Sequence, residues 1–190
     1  GMGEVLRAFD KFLERPVAIK RLKDPLVNSQ LAMRRFQTEA QSVAGLIHKN
    51  ITQVFDCGRD ADGPFIVMQL IDGESLSEKL RRGPLEPPDA VALLCQVCEG
   101  LEVAHAQQII HRDIKPSNIL IGEDGVPRLA DFGLARQDFS NDEMQTHAGT
   151  VLGTLDFMSP EQRVDATQVD VRSDLWSLAA TLYQMVTGDV

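Results

Sequence analysis

Two short stretches of this chain hold side chains able to handle phosphate. His111-Arg112-Asp113-Ile114-Lys115-Pro116-Ser117-Asn118 gathers a carboxylate, an ammonium and an amide. After an apolar run, Asp131-Phe132-Gly133 adds a second carboxylate. Carboxylate and amide oxygens suit a hard cation such as Mg²⁺, and an ammonium suits the phosphate oxygens such a cation bridges. These residue types can grip a magnesium-bound phosphate and align a hydroxyl for attack, so the chemistry they point to is phosphoryl transfer. That reaction asks chiefly for positioning and charge neutralisation. Either tripeptide alone would equally suit a capped surface turn or a hairpin corner. Lys115 two residues after Asp113, Asn118 five after it, and Asp131 beyond a hairpin argue against coincidence.

The elements that must position these groups are readable around them. Ile119-Leu120-Ile121, the turn Glu123-Asp124-Gly125, and Val126 to Ala130 predict a hairpin with Asn118 at one end and Asp131 at the other. Glu86 to Gln107 predicts a long helix leading into the His111 stretch, and Ser75 caps a shorter run ending near Arg82-Gly83-Pro84. Upstream, Leu31, Phe36, Ala40, Val43 and Ile47 fall at helical spacing. Thr52 to Cys57 and Phe65-Ile66-Val67-Met68 flank the turn cluster at 60–64 and predict antiparallel strands. Downstream, Phe139 to Gly149 is polar and rich in turn formers. Leu175, Trp176, Leu178, Ala179, Ala180, Leu182, Tyr183, Met185 and Val186 make a last helix apolar nearly all round, the pattern of a buried helix.

Composition sets outer limits. With 190 residues and 43% hydrophobic content the chain can bury a core and form one or two domains. A net charge of −9 with no basic tract argues against non-specific nucleic-acid binding. No apolar run approaches the ~18 residues of a membrane-spanning helix, and no signal-peptide pattern opens the chain. The expectation is a cytoplasmic chain, whose full-length protein could be membrane-anchored through segments outside it. Cys57, Cys95 and Cys98 are too few for a disulfide framework. Cys95 and Cys98 form a C-x-x-C without the second pair a structural zinc site needs; core packing is the expectation for them.

The phosphate-handling stretches resemble the catalytic loop H-R-D-x-x-x-x-N and the D-F-G of the eukaryotic-like protein kinases. The resemblance implies that Asp113 accepts the proton of the attacking hydroxyl, Lys115 steadies the transferring phosphoryl, and Asn118 and Asp131 hold Mg²⁺. Lys115 further suggests the serine/threonine class. Gly1-Met2-Gly3-Glu4-Val5 looks like the tail of the glycine-rich loop, with Gly1 inside it, Gly3 as its third glycine and Val5 packing on adenine. Val17-Ala18-Ile19-Lys20 matches V-A-I-K, which implies Lys20 against the α and β phosphates, Ala18 beside the nucleotide, and Glu39 on the helix the family calls αC as partner of Lys20. Met68 would be the gatekeeper, while Gln69 and Ile71 would offer backbone groups to adenine. Leu76 and Leu120 would line the same pocket. Ser159-Pro160-Glu161 departs from A-P-E by one residue, and Thr154 matches the threonine that bonds the catalytic Asp and Lys. Arg112 implies pairing with a phosphorylated loop residue, Thr146 or Thr150. Asp174 would cap the helix the family calls αF and bond the backbone of the catalytic loop.

The resemblance therefore implies an α+β, two-lobed protein-kinase-like fold that uses ATP and Mg²⁺ on protein substrates with Ser or Thr acceptors. An N-lobe at 1–68 would hold an antiparallel sheet plus one helix, and a mainly helical C-lobe would fill 69–190. The chain looks incomplete at both ends, lacking the family's first strand and first glycines and stopping after the αF helix. Gly1-Met2-Gly3-Glu4-Val5 and Ser159-Pro160-Glu161-Gln162 look closest to bacterial members. Two rivals remain. A pseudokinase scaffold would lose Lys20, Asp113, Asn118 or Asp131, and none is lost. A small-molecule phosphotransferase of the same fold would lack the Thr154 and Glu161 features.

Overall fold

The computed structural model describes residues 3–22, 30–132, 155–165 and 169–189. Gly1, Thr146, Thr150 and Thr154 lie outside the described residues, as does the side chain of Glu39. The chain divides into two compact units, Gly1–His48 with Thr52–Ile71, and Lys49–Ile51 with Asp72–Val190. The last strand of the first unit runs through Gln69. Among the described residues no helix is long and apolar enough to cross a membrane.

The first unit is a four-stranded antiparallel sheet in the order β1-β2-β4-β3 with one helix. Strand β1 (Gly3–Asp10) pairs with β2 (Arg15–Leu22) across a turn that Asp10 nucleates. Its carboxylate accepts from the Phe12 and Leu13 N–H groups, both at 3.0 Å, the local bonding that makes Asp a turn former. Helix α1 (Gln30–Ala44) packs on β3 (Val54–Asp60), which pairs with β4 (Gly63–Gln69). Phe36, Ala40 and Val43 of the helical stripe are buried, but Ile47 is 81% exposed. The helix ends at Ala44, and the tightened bond from Leu46 N–H to the Val43 carbonyl (3.0 Å) turns Leu46 inward in its place.

The second unit pairs a three-stranded sheet, β5-β6-β7, with helices. Strand β5 (Gly73–Ser75) runs into α2 (Leu76–Leu80), whose first turn is a capping box. Glu78 N–H donates to the Ser75 hydroxyl at 3.1 Å while the Glu78 carboxylate accepts from Ser75 N–H at 2.8 Å. Helix α3 (Pro87–Ala106) opens on two prolines, whose missing N–H groups cost nothing in a first turn. It buries Ala90, Leu94, Val97, Gly100, Leu101 and Ala104 against β7 and the last helix. Cys95 and Cys98 lie off this stripe, exposed and free, so the core-packing expectation is overturned by where the amphipathic stripe falls. The hairpin of β6 (Ile119–Gly122) and β7 (Pro127–Leu129) turns at Gly125, whose φ of 74° favours glycine. Helices α4 (Pro160–Val164) and α5 (Val171–Thr187) complete the unit.

The segment Lys49–Ile51 belongs to this second unit for a hydrogen-bonding reason. Asn50 is fully buried; its carbonyl accepts from Leu129 N–H and its amide donates to the Pro127 carbonyl, both at 2.8 Å. Ile51 forms a parallel bridge with Leu129.

Candidate active site

In the second unit the site is a loop bolted to a helix. Asp174, in the first turn of α5, is 0% exposed, and a buried carboxylate must be fully bonded to be tolerated. Its Oδ2 accepts from His111 N–H at 2.9 Å and its Oδ1 from Arg112 N–H at 2.8 Å. His105, from the last turn of α3, reaches the same Oδ2 with Nε2 at 2.7 Å. Asp174 thus bonds the backbone of the catalytic loop, as expected, but it is not the cap of its helix. Asp170 caps α5, accepting from Arg172 N–H at 2.8 Å.

Beyond the tether the loop is aimed by strain. Arg112 has φ 64° and Asp131 φ 61°, values that non-glycine residues adopt only where the surroundings hold them. His111 is buried, donates from Nε2 to the Ala130 carbonyl at 3.0 Å, accepts at Nδ1 from Asp113 N–H at 3.3 Å, and sets its ring, tilted by 44°, with its centroid 4.5 Å from that of Phe132. Burial holds its pKa below the ordinary 6.5, consistent with a neutral ring carrying its proton on Nε2.

Asp113, Lys115 and Asn118 are brought together. Lys115 Nζ lies 2.9 Å from Asp113 Oδ2 and donates to Oδ1 at 3.2 Å. Asn118 Nδ2 donates to the same Oδ2 at 2.9 Å and to the Asp113 carbonyl at 2.8 Å. A 3₁₀ turn over Pro116–Asn118 makes this reach possible, and the bond from Ala130 N–H to the Asn118 carbonyl (2.9 Å) ties it to the end of β7. Asn118 therefore turns its amide nitrogen inward, which leaves Oδ1 as the atom it can offer a cation. Asp131 follows directly from Ala130. Hard oxygens of this kind fit Mg²⁺, which takes few protein ligands and completes its shell with phosphate and water. Among the described residues no three His, Cys, Asp or Glu side chains gather as a metal cluster.

Leu76, expected to close the adenine pocket from below, is fully buried within the second unit. Leu120, half-buried on β6 and paired with Ser75 and Arg128, has surface to offer. In the first unit, Lys20 sits on β2 opposite Val5 of β1 and Ile66 of β4, and the buried Ala18 lies opposite Met68. Glu39 lies on α1. The Gln69 N–H is committed within the unit, donating to the Gln53 carbonyl at 2.8 Å; Ile71 follows β4.

Sequence reading missed His105, whose partner Asp174 is 69 residues away, and Gln162, which reaches the loop from 50 residues away. Gln162 Nε2 donates to the Arg112 carbonyl at 2.6 Å. A His in the last turn of a helix and a Gln in the first turn of another give no signal of their own.

The protein kinase domain family matches residues 1–190. Serine/threonine-protein kinase PknL of Mycobacterium tuberculosis is 42% identical over 189 residues, covering 99% of this chain and 47% of the relative. PrkC of Bacillus subtilis is 39% identical, covering 100% of this chain and 29% of its own. The chain thus spans about half or less of the length of these curated relatives. The crystal structure of the Mycobacterium tuberculosis PknI kinase domain superposes with a TM-score of 0.81 at 27% identity, covering 99% of this chain and 70% of that one. With the whole chain matched and the expected α+β architecture present, the chain belongs to the protein kinase domain family.

Proposed function

We propose that the intact protein transfers the γ-phosphoryl group of ATP to Ser or Thr hydroxyls of protein substrates. The observation that carries this is the Asp113 carboxylate, oriented by Lys115 Nζ and Asn118 Nδ2 on a loop tethered to a buried Asp174. The serine/threonine kinases PknL and PrkC supply the acceptor class. Asp113 takes the proton of the attacking hydroxyl, and Lys115 partners the transferring group. Asn118 Oδ1 and the Asp131 carboxylate would hold Mg²⁺, which would supply neutralisation of the phosphate charge. Lys20, with Glu39 as its partner, serves the α and β phosphates. Gly1, Gly3, Val5, Ala18, Met68, Gln69, Ile71 and Leu120 surround the rest of the nucleotide, with Leu76 supporting from within the core. Thr154 bonds the Asp113 and Lys115 pair. None of Lys20, Asp113, Asn118 and Asp131 is replaced, which disfavours a pseudokinase scaffold.

Asp113→Asn tests the assignment, because it removes the proton acceptor and keeps the shape. In the intact protein kcat should fall by about 10²–10⁴-fold, while Mg·ATP affinity changes little. Near-normal turnover would mean that Asp113 has another role. Arg112, whose N–H is held by Asp174, is the proposed partner of a phosphate on Thr146 or Thr150; such a phosphate adds about −1.5 to −2 charge and orders a loop. Mass spectrometry of the active protein should find one of the two threonines phosphorylated, and finding both bare would remove this mode of control.

A further inference from the structure

Arg112 is held in the left-handed region, and its backbone is gripped on both sides. Asp174 Oδ1 takes its N–H at 2.8 Å, and Gln162 Nε2 takes its carbonyl at 2.6 Å. The second grip comes from a firm mount. Gln162 lies in the first turn of α4, where the Ser159 hydroxyl accepts from Gln162 N–H at 3.4 Å. Ser173 of α5 donates to Glu161 Oε1 at 2.6 Å, and Ser177 of α5 donates to the Phe157 carbonyl at 2.7 Å, so the residues on either side of Ser159 are fastened to the same helix that carries Asp174. Gln162 Oε1 is buried and has no hydrogen-bond partner among the described residues. An amide that leaves its own oxygen unsatisfied is costly to place there, and the bond from its nitrogen to Arg112 is what accounts for it.

We propose that Gln162 is a positioning residue for the catalytic loop. Its amide N–H fixes the peptide plane joining Arg112 to Asp113, and with it the direction in which Asp113 presents its carboxylate. This rests on the phosphoryl-transfer reading. It also implies that α4, at the far end of the segment that begins with Asp131, bears directly on the geometry of the proton acceptor.

The test uses the intact protein with Gln162→Met, which keeps bulk without a donor, and Gln162→Glu, which sets a carboxylate against the Arg112 carbonyl. At about pH 8 both should lower kcat by about 10–100-fold, the scale of a small misplacement at a reacting group, with KM for ATP within about twofold of wild type. The introduced carboxyl regains a donating proton when protonated, so the kcat of Gln162→Glu relative to wild type should climb as pH is lowered. The deficit of Gln162→Met should be independent of pH. A purely structural role predicts no such split. The backbone ¹³C′ resonance of Arg112 reads the contact itself and should shift in Gln162→Met. Wild-type transfer matched by both variants, or an Arg112 resonance unmoved in Gln162→Met, overturns this inference alone. Failure of the wild type to transfer phosphate from ATP overturns the phosphoryl-transfer reading, and this inference falls with it.

Discussion

The His111 ring makes two bonds, to the Ala130 carbonyl and from Asp113 N–H, that only the neutral form with its proton on Nε2 can make together. Burial lowers its pKa from 6.5, against the smaller opposing pull of Asp174. In the unfolded chain the ring takes up its proton as pH falls through 6.5, whereas in the folded chain it does so only further down. The unfolded state then binds more protons, and stability declines with falling pH. The thermal midpoint of the wild type should therefore drop more steeply below about pH 6.5 than that of His111→Gln, which keeps a donor without the titration. Parallel slopes would show that His111 is not the group responsible. Asp113, Lys115 and Asn118 were legible because their side chains meet across five residues of chain, where spacing alone carries geometry. His105 and Gln162 were not, because each acts through a tertiary contact, His105 on the Asp174 carboxylate and Gln162 on the Arg112 carbonyl, and the spacing of neither pair marks it in sequence.

Helices and strands were legible to the extent that one face settles their fate. The α3 stripe falls on Ala90, Leu94, Val97, Leu101 and Ala104, and an apolar run broad enough to include Cys95 and Cys98 concealed which side faced inward. Ile47 was misread for the opposite reason, since the helical period was extended past the turn that ends α1. Gly100 marks a place where α3 closely approaches the segment Lys49–Ile51. A Cβ there would stand 3.0 Å from the Asn50 carbonyl oxygen and 3.2 Å from Ile51 Cγ1. Gly100→Ala sets a helix-propensity gain of ~1 kcal/mol against that crowding, so its net effect should be small. Gly100→Val adds branches that the backbone of Asn50 cannot yield to, and it should cost about 1–3 kcal/mol, read as a lowered denaturant midpoint. A Val variant as stable as wild type would mean that the contact is loose.

For the whole molecule, the kinase-like α+β architecture was legible in the motifs, while the docking of Lys49–Ile51 with the second unit rests on a buried Asn50 that no pattern announces. Leu175, Trp176 and Tyr183 of α5 are 54%, 49% and 57% exposed, on a helix whose Leu178 and Met185 are buried. Apolar groups lying together on a surface favour association. The 190-residue chain alone should show concentration-dependent association by light scattering, and replacing these three residues by lysine should reduce it. Monodispersity of the unsubstituted chain at all concentrations would contradict this. The division also has a temporal side. Asn50 leaves the ribosome between helix α1 and strand β3, yet the carbonyl its amide needs belongs to Pro127, 77 residues later. At about 5–20 residues per second that is a wait of about 4–15 s. Once Gln69 has emerged the first unit has all its own strands while Lys49–Ile51 still has nothing to dock on, so a nascent chain stalled between that point and Pro127 should be cut by protease at this segment and protected there once Leu129 has emerged.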